Sequence, residues 1–162
     1  MEAMAAPAFA VALEASSLGV FMRASPLAYP LANLTHLLGL VLLVGPIIAL
    51  DLRLLGFARG LPVKALSAYL TPFAILGLLL MFASGTLIFS ADAKALIVNP
   101  VLQIKLALIV CGLVNALLFR LFWSSRLYDW DRRPSGIGRL QCAASITLWL
   151  GAGTAGRLIA YF

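Results

Sequence analysis

A chain of 162 residues that is 63% hydrophobic and only 11% charged, with a mean hydropathy of +1.04, has too much apolar surface to hide in a water-soluble fold of that size. Its solvent is a bilayer, and its length suits one domain. The net charge of +6 does not read as a nucleic-acid footprint, because no basic-aromatic cluster accompanies it; in a membrane protein such residues mark cytoplasmic loops.

The chain opens "MEAMAAPAFAVALEASSLG", with Glu2 and no Lys or Arg before the apolar part, so the basic n-region of a signal peptide is missing. Residues 8–24 set Phe9, Leu13, Val20 and Phe21 among Glu14, Ser16, Ser17 and Arg23. This pattern predicts an amphipathic helix in the outer interface, within a segment covering residues 1–27.

Four apolar stretches follow, near 31–55, 68–90, 101–123 and 140–161, each long enough to cross about 30 Å of hydrocarbon. The expected fold class is therefore all-α: an integral membrane antiparallel four-helix bundle over residues 28–162. In the first span, Pro46 after Gly45 predicts a kink that frees the carbonyl of Leu42. At its inner end, Asp51-Leu-Arg53 reads as a local ion pair or loop anchor. "GFARGLPVK" is a short linker in which Pro62 is a candidate helix start. Asn99-Pro100 is a turn and helix-start signal before the third span. "SSRLYDWDRRPSGIGR" has the charge, Trp130, Pro134 and glycines of an interfacial loop.

The basic residues Arg53, Arg59 and Lys64, and Arg120, Arg126, Arg132, Arg133 and Arg139, all fall at one end of the expected bundle. The other end has Arg23 and Lys94. Basic loops stay in the cytoplasm. The expected location is thus a bacterial inner membrane, multi-pass, with both termini periplasmic.

Titratable residues inside the spans define the candidate site. His36, the only histidine, lies about five residues inside the first span; Lys105 and Arg157 lie at similar depth in the third and fourth. Asp92 and the Phe162 carboxylate are the candidate anions in that outer layer. Helical spacing groups Asn33, His36, Leu40 and Leu43; Gly77, Met81 and Ser84; Lys105, Gly112 and Asn115; and Ser145, Trp149, Gly153 and Arg157. These four faces read as the inside of the bundle, with Ala152, Gly156 and Ala160 as a ridge of small residues beside them. The expected ligand-binding residues are His36, Lys105, Arg157, Asn33, Ser84 and Trp149. A metal would use His36, with Met81 as second ligand for haem or as a helper for copper. His36 reads as a hydrogen-bonding strut, a haem ligand, or a copper, quinone or proton group. Cys111 and Cys142 read as small packing residues. No Gly-rich phosphate loop, Cys-x-x-Cys or His-Glu-x-x-His occurs, and no catalytic residue is expected.

"SPLAYPLANLTHLLGL", "GPIIALDLRLLGFAR", "NPVLQIKLALIVCGLVNALLF" and "TLWLGAGTAGRLIAYF" resemble an uncharacterised bacterial family of small four-helix membrane proteins, a domain of unknown function. Tyr29-Pro30 with His36, Asp51-Leu-Arg53, Lys105 with Asn115, and Gly156-Arg157 carry the resemblance, which covers nearly the whole chain. The first span and "LQIKLAL" are more distantly similar to the copper-resistance D membrane family. The resemblance implies the fold. It also implies a further histidine near the end of the third helix, where this chain has Phe119-Arg120 instead. The expected function is that of a non-enzymatic accessory subunit in a larger membrane complex, among other membrane subunits, binding lipid or quinone in an outer-leaflet pocket. A haem-b electron-transfer cytochrome using His36 and a copper-handling membrane protein are the alternatives.

Overall fold

Short polar punctuation sets the helix boundaries. The computed structural model describes residues 6–161, which are all-helical with no strand. Two short helices, α1 (Ala8–Ala15) and α2 (Ser17–Ala24), stand where one helix was expected over 8–24. Ser16 causes the break. Its extended backbone (φ −66°, ψ 162°) ends α1, while its hydroxyl accepts from Gly19 N–H and caps α2. Next come α3 (Ala28–Leu55) and α4 (Val63–Ala91), separated by Gly56 in the left-handed conformation (φ 113°) and by the loop to Pro62. After the short α5 (Ala93–Val98), Asn99 caps α6 (Pro100–Trp123) by accepting from Val101 and Leu102 N–H, and Pro100 occupies the first turn. Ser135 caps α7 (Gly136–Leu158) through Gly138 N–H.

Three helices are long and apolar enough to cross a membrane: α3, α4, and α6 with the one-turn 3-10 extension that carries it to Arg126. The fourth expected span, α7, is 23 residues long, or roughly 35 Å. It is not among them, because Arg139, Gln141, Ser145, Thr147, Thr154 and Arg157 dilute its apolar content. Its buried ridge is Gly138, Cys142, Ser145, Trp149, Ala152 and Ala155.

Antiparallel pairs build the bundle. Gly39 sits against Met81, and a Cβ at Gly77 would collide with the backbone of Leu42 and Leu43, so α3 and α4 meet backbone to backbone. Lys105 crosses Gly156, Leu108 crosses Gly151 and Trp149 covers Gly112, so α6 and α7 run antiparallel in register. Asn115 Nδ2 adds a 3.0 Å hydrogen bond to Gln141 O. α7 also packs on α3, whereas α4 and α6 do not pack closely along their lengths. They are tied near one end where Arg120 donates to Thr71 Oγ1.

One end of the bundle is capped by loops. Leu54, Val63, Leu127, Trp130 and Cys142 form a buried cluster there. Trp130 Nε1 donates to Leu54 O at 2.9 Å, and its ring presses on Gly138. Buried Arg53 grips Asp131 through two bonds of 2.9 and 2.6 Å and donates to the carbonyls of Leu61 (2.7 Å) and Arg59 (3.1 Å). This corrects the local Asp51–Arg53 pair: side chains two apart on a helix point to nearly opposite sides, so Arg53 anchors the loops while Asp51 faces Ser145 and Cys142 of α7.

At the other end, α1 and α2 are docked on α4 and α5. Glu14 pairs with Lys94 Nζ (2.9 Å) and accepts from Lys94 N–H (2.9 Å). Arg23 donates to the carbonyls of Ala91 and Glu14 at 2.9 and 2.8 Å.

Candidate functional site

The half-buried His36 and fully buried Ser84 meet across the α3–α4 contact, with His36 Nδ1 at 3.0 Å from Ser84 Oγ. Ser84 also donates to Leu80 O at 2.5 Å. Its one proton is committed there, so His36 donates through Nδ1–H, which leaves Nε2 as the acceptor nitrogen of the ring. Gly85 makes room for the ring: a Cβ there would lie 3.3 Å from His36 Cε1.

Lys105 is half-buried, its Nζ 3.3 Å from where a Gly156 Cβ would stand, and its charge is close enough to act on the His36 ring. Arg157 is exposed and turned along its own helix, donating to Tyr161 Oη at 3.0 Å and stacking 5.2 Å over that ring. Asn33 is exposed on α3 and makes no side-chain hydrogen bond among the described residues. Trp149 is buried over Gly112, about 10 Å deeper than Lys105 by helical rise. His36 and Ser84 are thus bonded to each other, while Lys105 packs on Gly156 and Arg157, Asn33 and Trp149 are bonded to neither of the pair. Asp92 is exposed at the end of α4; the Phe162 carboxylate lies outside the described residues.

Met81 packs its Cγ over Gly39, one turn deeper than His36, and among the described residues no three His, Cys, Asp or Glu side chains gather closely enough to hold an ion. That leaves His36 Nε2, the acceptor nitrogen, as the one expected ligand atom.

Beside the His36–Ser84 pair lies a cleft that the sequence did not announce. It holds about 430 Å³ between α2, α3 and α4, with Leu18, Phe21, Leu31 and Leu87 on its walls and Thr35 and Ser84 as its hydroxyls. Met22 and Ser25 also border a second, more polar opening of about 520 Å³ lined by Glu14, Arg23, Tyr29 and Asp92. Lys94 holds the Glu14 carboxyl below its usual range, first through its backbone N–H and then through its ammonium. The cleft was not legible because its outer wall is α2, whose docking depends on Arg23 and Glu14 reaching residues 68 and 80 positions away.

Comparison with family models, curated proteins and solved structures gave no match. The family resemblance therefore rests on the residues quoted for it, and the chemistry of the site on its geometry.

Proposed function

We propose that this is a four-span membrane protein, with α7 crossing alongside α3, α4 and α6, that binds one lipid-like amphiphile, a lipid or a quinone, in the outer half of the bundle. It acts as a non-enzymatic subunit of a larger membrane complex in a bacterial inner membrane, as its resemblance to the small four-helix family fits. The observation that carries the reading is the apolar cleft bordered by the Ser84 hydroxyl, which His36 hydrogen-bonds, and lying beside a polar opening. Such a shape accepts an apolar chain along Leu31 and Leu87 and a polar head toward Arg23 and Tyr29. Arg23, on the border of the polar opening, supplies a cation for a head-group phosphate or carbonyl. The little-buried apolar lengths of α6 and α4 face lipid or neighbouring subunits.

The test is to extract the purified protein with organic solvent and identify what co-purifies by mass spectrometry, which separates phospholipid from quinone. Wild type is expected to hold one amphiphile per chain, and Ala83→Trp, which fills the cleft, to lose at least tenfold of it. Equal occupancy in the two would overturn the reading. The acceptor Nε2 of His36 favours one rival, haem b. A Soret band at one haem per chain that vanishes in His36→Gln would replace the amphiphile reading with it. Metal analysis distinguishes copper in the same preparation.

A further inference from the structure

Among the described residues, three buried side-chain polar atoms lack a hydrogen-bond partner: Asp51 Oδ2, Arg139 Nε and Trp149 Nε1. Asp51 Oδ2 and Arg139 Nε lie where the end of α3 meets α7, Arg139 beside Gly56 and Asp51 beside Ser145 and Cys142, whereas Trp149 Nε1 is turned to Gly112 of α6. Arg139, Cys142, Ser145 and Trp149 follow one another at helical spacing along about 15 Å of α7, and Asp51 faces the middle of that ridge beside Ser145 and Cys142. Asp51 is 8% exposed. A carboxylate shut away from water without a cation is costly, and ionisable residues in a span default to function.

The charged and titratable groups around Asp51 do not neutralise it. On α3, Arg53 is committed to Asp131 and two loop carbonyls. On α4, Lys64 and Tyr69 are exposed. On α6, Arg120 is bound to Thr71. On α7, Arg139 stands about one turn toward the capped end with no ion pair to Asp51, and Cys142 is an uncharged neighbour in its thiol form. What favours the neutral acid is burial away from water and from any cation; Ser145 Oγ and Cys142 Sγ are the neighbours that can accept a hydrogen bond from it.

We propose that Asp51 is a reversible proton-binding site built into the α3–α7 seam. The carboxylate takes a proton from water on one oxygen and later returns it to water. In the loaded form that O–H donates within the seam, and no other bond forms or breaks. The site lies about 22 Å along α3 from His36 by helical rise, so it does not depend on the amphiphile site.

Infrared difference spectroscopy of the protein in lipid nanodiscs tests this. At neutral pH, wild type is expected to show the C=O stretch of a protonated carboxyl group that disappears in Asp51→Asn and persists in Asp131→Asn, Asp92→Asn and Glu14→Gln. Absence of the band from wild type, or its survival in Asp51→Asn, would overturn the proposal. Should Asp51→Asn not fold, Ser145→Ala and Cys142→Ser decide: each changes a hydrogen-bonding neighbour of the acid and is expected to shift the band. A band unmoved by both would overturn the proposal equally.

Discussion

His36 is tied across the α3–α4 contact by one hydrogen bond to a serine that is only 1% exposed. Glutamine keeps a donor for Ser84 Oγ; leucine keeps only bulk. His36→Gln is expected to stay within about 1 kcal/mol of wild type and to retain bound amphiphile, whereas His36→Leu loses about 1–2 kcal/mol and the ligand. Unfolding in detergent, read beside the extracted amphiphile, checks both. A second residue-scale expectation concerns pH. The Arg53 guanidinium holds the Asp131 carboxyl below its ordinary 3.8, first by hydrogen bonding and then by its charge. The folded state binds that proton less readily than the unfolded state, so the pair's contribution is complete above pH 3.8 and fades as pH falls below it. Asp131→Ala should remove that acid sensitivity and cost about 1.5–3 kcal/mol, because it strips two charged hydrogen bonds from a buried guanidinium. Acid melts of wild type and variant, measured in parallel, decide it. The sequence showed that His36 and Ser84 interrupt apolar faces, and their meeting follows from helical spacing. It did not show Arg53 reaching Asp131 or Asp51 turning to α7, since both depend on how distant loops and helices settle.

At the scale of helices, small residues decide how close the elements come. Gly77 has Leu42 and Leu43 backbone where a side chain would be, and Gly39 has Met81. Gly45 and Gly153 have nothing within 4 Å of a Cβ. Gly77→Val is therefore expected to force α3 from α4 and cost about 1–3 kcal/mol, and to loosen the His36–Ser84 bond one to two turns away. Gly153→Ala gains helix propensity, up to about 1 kcal/mol, at no steric cost. Denaturant titrations that ranked the two in reverse would contradict the backbone contact. The long helices were legible because apolar runs bounded by Pro62, Asn99-Pro100 and the charged loop leave few other solutions. The break at Ser16 was less so: a serine in an amphipathic run serves equally as a surface residue or a cap, and docking on α4 and α5 selects the cap.

For the whole molecule, the two ends of the bundle differ in kind. The capped end gathers Arg59, Lys64, Arg126, Arg132 and Arg133 on exposed loops and helix ends, closed over a cluster of Trp130, Leu54 and Leu127. The other end carries Lys94, paired with Glu14, Arg23, which donates to the backbone carbonyls of Ala91 and Glu14, and Arg157, which donates to Tyr161. Exposed positive charge is thus denser at the capped end, and under the proposed four-span reading the positive-inside rule leads us to expect that end in the cytoplasm. Because α6 and α7 run antiparallel, the side on which the C-terminal end of α7 lies depends on α7 crossing with the other three helices. If it does, the C-terminal end of α7 emerges on the same side as α1 and α2. A single cysteine placed at Gly60, with Cys111 and Cys142 changed to serine, is expected to be shielded from a membrane-impermeant thiol reagent in intact cells. One placed at Ala160 is expected to be reached. Labelling at Gly60 would reverse the orientation. Shielding at both Gly60 and Ala160 in intact cells, with both opened by permeabilisation, would mean that α7 does not cross and that the chain has three spans.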